Sequence, residues 1–227
     1  MEGPVLDRQQ TIANVVLDHS ECAEVFQRHH IDFCCRGGIS IEAAAEAQKL
    51  DPDALLGELT RAIAQRRGVR QDDPRDLTTP QLVAHIVSKH HAYLRKALPF
   101  VRALALKVGR VHGDHNPKLR ALDAAVGALV DALLPHLEEE EGALFPALTA
   151  THTDHAQATR LLDAMVGEHL IVAKLLERIR AASDDFTLPD WACNSYRTLF
   201  SELRQLESDI FTHVHLENHV LKPRFAA

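Results

Sequence analysis

The sequence predicts an all-α protein in two parts, a small helical domain over 1–72 and an up-down four-helix bundle over 76–227. Three observations predict it. Ala and Leu dominate while aromatics make up only 5% of the chain, a balance that favours helix over sheet. Beyond residue 78, four long amphipathic stretches follow one another with short breaks. Within them, His136-Leu-Glu-Glu-Glu140 and His213-Val-His-Leu-Glu217 repeat one pattern, a histidine and a glutamate four residues apart. On a helix that spacing stacks both side chains on one face.

Start signals place the elements. Thr11 caps a helix through Leu17, Ser20 another through His29, and Ser40 a third. Asp51-Pro52 opens a fourth, running to about Arg66, with Asp as cap and Pro at the first helical position. Residues 67–78, polar and carrying Gly68 and Pro74, read as the linker. The first long helix spans about 79–109, capped by Thr79. Asn116-Pro117 opens the second, about 117–149. Thr153 opens the third, to about 182, and Pro189 the fourth, to about 222. Pro99 should kink the first, and Pro135 and Pro146 should disturb the second.

The 227 residues suffice for one large or two small domains, and 46% hydrophobic residues supply a core. A net charge of −7 argues against a nucleic-acid partner. The N-terminus lacks a signal-peptide pattern, and no run of eighteen apolar residues predicts a membrane span. A cytoplasmic location is expected, with the four cysteines as reduced thiols. A homodimer is an open option.

His91 lies 45 residues before His136, and His169 lies 44 before His213. The unit of a histidine followed by His-x-x-x-Glu thus occurs twice. Four antiparallel helices can aim these four imidazoles, with Glu140 and Glu217, at one interior point. Counted from turns near 114 and 152, His91, His136 and His169 share one level. His213 misses it by roughly 15 Å at 1.5 Å per residue, a gap that a non-helical start to the fourth helix would absorb. His112, at the first turn, lies about 30 Å from the His91 level by helical rise and stays outside the ligand set. Glu168 is a candidate for an access path. Glu138, Glu139 and Glu141 read as a solvated face, and His90, His115, His152, His155, His215 and His219 as surface or outer groups.

Glutamate deep in a bundle is costly unless paired or metal-bound. Six nitrogen and oxygen ligands exceed what zinc usually takes, and magnesium and calcium prefer oxygen alone. The set suits a non-haem centre of two iron ions, each with two histidines, sharing both glutamates and an oxo bridge and keeping an open position. Manganese or a mixed pair is the next choice.

Cys34 and Cys35 are adjacent, their Cα atoms about 3.8 Å apart across a trans peptide, below the usual disulfide range. Reactive thiols, a labile redox pair, transient metal ligands and two buried apolar side chains all remain open readings. Gly37-Gly38 free the loop to approach another surface. Cys22 and Cys193 read as core.

Taken together, these residues resemble the iron–sulfur cluster repair di-iron (RIC) family. Asp32-Phe-Cys-Cys-Arg-Gly37 is similar to its N-terminal Cys-Cys-x-Gly motif, with Arg36 where the commonest form has glycine. His91-Ala-Tyr-Leu-Arg95, Val111-His-Gly-Asp114, His136 to Pro146, Glu168-His169 and His213 to Pro223 resemble its hemerythrin-like motifs, with Lys222 in place of an aromatic. The resemblance implies a hemerythrin-like bundle with His91, His136, His169 and His213 as terminal ligands and Glu140 and Glu217 as bridges. It also implies that the cysteine domain docks over the di-iron domain, and that His112 belongs to a family motif. The implied role is repair of iron–sulfur clusters damaged by nitrosative or oxidative stress, by donation of iron to damaged iron–sulfur proteins. The alternatives are reduction of nitric oxide to nitrous oxide, which would make the protein an enzyme, and reversible binding of dioxygen or nitric oxide. The vicinal cysteines weigh against a pure gas carrier.

Overall fold

The computed structural model describes residues 6–65, 73–152 and 154–225, and among them every regular element is helical apart from one bridge pairing Thr11 with Ser40. α1 (Ile12–Asp18) starts where Thr11 accepts from the Asn14 amide, and α3 (Ile41–Ala47) where Ser40 accepts from Ala43. Between them, α2 (Cys22–Arg28) begins after Glu21 with no side-chain cap, so Ser20 does not play the expected role. The Asp51 carboxylate takes the Asp53 amide at the head of α4 (Pro52–Gln65). The expected end at Arg66, linker residues 67–72 and the proposed cap Thr153 lie outside the described residues.

The bundle helices are α5 (79–112), α6 (118–149), α7 (His155–Ala182) and α8 (194–221). α5 packs on α6, α6 on α7, and α8 on α5. Thr78, one residue before the expected cap, starts α5 with a reciprocal box: its hydroxyl takes the Gln81 amide while Gln81 Oε1 accepts from the Thr78 amide at 2.9 Å. Removing that hydroxyl leaves an orphan amide, so Thr78→Ala should cost about 1 kcal/mol. Thermal unfolding should show a fall in Tm of about 2–4 °C.

Three of the four long helices widen into a π turn, at Ile86–His91, Glu140–Leu144 and Glu217–Leu221. Pro99 and Pro135 sit inside stretches that stay α-helical, beside the buried Leu98, Val101, Leu133 and Leu137. Pro146 follows the second π turn, in the first turn of the segment Phe145–Thr149. α8 starts at Asn194, not Pro189, and the non-helical chain before it takes up the excess length that separated His213 from the common level.

Two apolar clusters bracket one level of the bundle. The larger runs from α1–α4 without interruption into the bundle, through Phe26, Phe33, Leu94, Leu133, Leu137, Val172 and Val214. The smaller gathers Leu82, Ile86, Leu144, Phe145, Met165 and Val220. The polar residues singled out by spacing fall between them in every long helix.

Candidate metal centre

His91, His136, Glu140, His169, His213 and Glu217 are buried together between the two clusters. They form two overlapping quartets, His91–Glu140–His213–Glu217 and His136–Glu140–His169–Glu217, and both glutamates belong to both. Three of these residues start or end a π turn: His91 closes the first, and Glu140 and Glu217 open the others. Such turns inside helices recur at functional sites because they re-aim side chains.

The distances also suit ligands that share an ion. His91 Nε2 and His136 Nε2 each stand 3.3 Å from a Glu140 oxygen, one on each. Glu217 Oε2 is 3.2 Å from His169 Nε2, and Glu217 Oε1 is 2.9 Å from His213 Nε2. Two ligands about 2.1 Å from one ion and at right angles to each other stand about 3 Å apart. Yet Nε2 of His136 and His169, both Glu140 oxygens and Oε2 of Glu217 are buried without a hydrogen-bond partner. Stranded polar atoms cost folding free energy. A donor set of imidazole nitrogens and carboxylates fits cations that would satisfy them, so the cluster can hold metal.

The outer ring nitrogens hold the imidazoles in place. His91 Nδ1 donates to Glu141 at 2.7 Å, His136 Nδ1 to Glu168 at 2.6 Å, and His169 Nδ1 to the Asn218 oxygen at 3.0 Å. Each bond fixes the tautomer that leaves the Nε2 lone pair facing inward. His213 is packed instead, its ring parallel to that of His90 at 5.9 Å. Burial pushes His213 down to about 4, so it stays neutral and able to ligate. Against the desolvation of complete burial, His213 and His169 hold Glu217 well below the usual carboxylate range. Burial and then the charge of Glu217 push Glu140 well above it. Packed against each other, the two carboxyls are pushed in opposite directions.

Several outer residues differ from their sequence assignment. Glu141 is not merely solvated: Arg95, one turn beyond His91, holds the same carboxylate oxygen at 2.9 Å. Its signal lay in the His91-x-x-x-Arg95 spacing. His90 is buried and bonds Asp209 at 2.9 Å. His215 is buried against the edge of Phe33. Glu168 lines a cleft with Glu139, Leu161 and Met165 that reaches Glu140. His112 is not brought to the cluster: its Nε2 lies 3.2 Å from Cys193 Sγ, beside the rings of Trp191 and Tyr196. A continuous helical stretch from Ala92 to His112 keeps it away. Cys193 is exposed ahead of α8 rather than core.

The cysteine loop sits against this centre. Asp32 Oδ1 accepts from the amides of Cys34 and Cys35, at 3.1 and 2.8 Å, and folds the loop. The two sulfurs are 3.6 Å apart, unbonded, and with Asp32 they could hold a metal ion. Phe33 enters the bundle, 5.7 Å from the Phe211 ring and 5.4 Å from His215. A Cβ on Gly37 would stand 2.8 Å from His219 Nε2 and 2.3 Å from the Phe33 carbonyl, so only glycine permits this approach. Burial raises Cys22 to about 12 and, with Cys35 and Asp32, lifts Cys34 well above its ordinary value. Alkylation followed by peptide mass spectrometry should therefore label exposed Cys193 first and half-buried Cys35 next, with Cys34 and Cys22 last.

A helical bundle with four such histidines and two shared glutamates defines a cation-binding domain of hemerythrin type, and residues 82–225 match the hemerythrin HHE cation binding domain. Residues 8–63 match ScdA_N, a domain of unknown function. The chain is 30% identical over 226 residues to the iron-sulfur cluster repair protein ScdA of Staphylococcus haemolyticus (strain JCSC1435), covering 98% of this chain and all of that protein. It is 31% identical over 217 residues to the iron-sulfur cluster repair protein YtfE of Yersinia pseudotuberculosis serotype IB (strain PB1/+), covering 96% of each. YtfE of Yersinia pestis (strain Pestoides F) matches at the same identity and coverage. The chain belongs to the hemerythrin HHE family and, within it, to the family of these ScdA- and YtfE-like proteins. Among the described residues no helix is long and apolar enough to cross a membrane.

Proposed function

We propose that the chain carries two iron ions, one in each quartet with Glu140 and Glu217 shared, and that it restores damaged iron–sulfur clusters by donating that iron. The observation that carries this reading is the overlap of two four-ligand sets in two buried carboxylates. The names of the relatives, iron-sulfur cluster repair proteins, support the destination. Bound iron supplies Lewis acidity and redox chemistry. The chain's own residues hold and shield it. Glu141, Glu168 and Asn218 keep three Nδ1 protons outward, and the apolar clusters exclude water. Glu139 and Glu168 offer a cation a carboxylate-lined path to Glu140. Cys34 and Cys35, at the edge of the centre, assist transfer as thiol ligands or as a redox pair.

The partners on this reading are iron–sulfur proteins that have lost cluster iron, with nitric oxide or dioxygen as small ligands of the site. The setting is the cytoplasm, where free thiols stay reduced. The test mixes the iron-loaded chain with an apo-ferredoxin and sulfide, beside a control of free iron at equal concentration. Faster cluster formation than the control supports donation, and a rate no better than free iron overturns it.

A further inference from the structure

Three of the four histidines have an orienting partner on Nδ1, and the partners are not alike. His91 and His136 donate to carboxylates, Glu141 and Glu168. His169 donates to an amide, Asn218, whose Nδ2 in turn donates to the Cys34 carbonyl at 2.9 Å. A carboxylate can only accept, whereas an amide accepts on one side and donates on the other. The amide stands at the one position where a ligand and the cysteine loop must be joined. The π turn Glu217–Leu221 makes this joint possible. Glu217 faces the quartets while Asn218 and His219 both reach Cys34 O, His219 Nε2 also at 2.9 Å. Cys35 Sγ closes the contact, 3.7 Å from the His169 carbonyl.

We infer that Asn218 is a positioning residue that ties the cysteine loop to one of the two quartets. Filling the His136–Glu140–His169–Glu217 quartet and docking the loop then favour each other, while the His91–Glu140–His213–Glu217 quartet has no such tie among the described residues. Coupling of this kind is reciprocal. An ion in the tied quartet steadies His169, Asn218 and the loop, and a loop that lifts away loosens His169. Departure of that ion loosens the loop over Cys34 and Cys35 without freeing it, and the two ions leave at different rates. This rests on the two-ion reading above.

The test uses the full chain, wild type, Asn218→Asp and Asn218→Ala. Asn218→Asp keeps an acceptor for His169 Nδ1 but sets a carboxylate against the Cys34 carbonyl, so it unties the loop while holding the ligand. Three quantities are measured: iron per chain, the rate of iron removal by a ferrous chelator, and the rate of Cys35 alkylation with and without iron. In wild type, iron should slow Cys35 alkylation about tenfold, the scale of one charge-free hydrogen bond between ordered groups. In Asn218→Asp, alkylation should be about tenfold faster without iron and insensitive to iron. One ion should leave faster while the other keeps its wild-type rate, and Asn218→Ala should show the same split with a looser His169. Equal alkylation rates for iron-free wild type and Asn218→Asp overturn the tie, whatever the iron content. So does iron protection that persists in Asn218→Asp, or equal acceleration of both ions. Fewer than two irons in wild type removes the two-ion reading instead, and the iron-free comparison still decides the tie.

Discussion

Glu217→Ala empties both quartets at once. Glu217 faces His169 through one oxygen and His213 through the other, so one substitution takes a candidate ligand from each quartet. Loss of even an outer partner typically weakens metal affinity 10–100-fold, and loss of a shared ligand should exceed about a hundredfold at each position. His91→Ala strikes only the His91–His213 quartet and should leave one ion bound. Iron analysis after gel filtration separates the two outcomes, near zero per chain for the glutamate variant and near one for the histidine variant.

Phe33→Ala should produce the largest loss of stability outside the metal ligands. The ring is fully buried among Phe26, Phe211 and His215, and it is the wedge that joins the N-terminal helices to the bundle. Truncating a buried phenylalanine costs about 3–5 kcal/mol. Here the cavity opens between two parts of the chain, so the loop that carries Cys34 and Cys35 should loosen with it. His215, which burial pushes down to about 3, would regain water and become able to titrate. Denaturant unfolding gives the energy, and alkylation gives the location. Cys34 should become reactive in the variant while Cys22, deep under α4, stays protected. Unchanged Cys34 reactivity at full loss of stability would place the damage elsewhere.

The spacing of His and Glu along four amphipathic stretches was enough to read the helices and to gather six side chains at one level. That works because helical rise and periodicity are rigid, and long helices leave few ways to arrange their polar positions. What spacing could not convey were the π turns. They add a residue to one helical turn, the first of them with neither proline nor glycine in it, and they decide where Glu140, Glu217 and Asn218 point. The same limit hid the role of Glu141, which sits in an acidic run that looks solvated until Arg95 and His91 are seen on one oxygen. The start of α8 was misread because Pro189 is a good first-turn residue, but the chain stays non-helical until Asn194. The burial of His215 depended on Phe33, 182 residues away in sequence, and no local pattern reports a contact of that kind.

On the proposed reading, two quartets with shared carboxylates grip two ions in one chain. Metal analysis combined with Mössbauer spectroscopy of the iron-loaded protein tests it most directly. The expected result is two irons per chain, high-spin ferric and magnetically coupled, in an environment of nitrogen and oxygen ligands. A single uncoupled iron, a spectrum of sulfur-ligated iron, or a chain that stays metal-free after loading would contradict it.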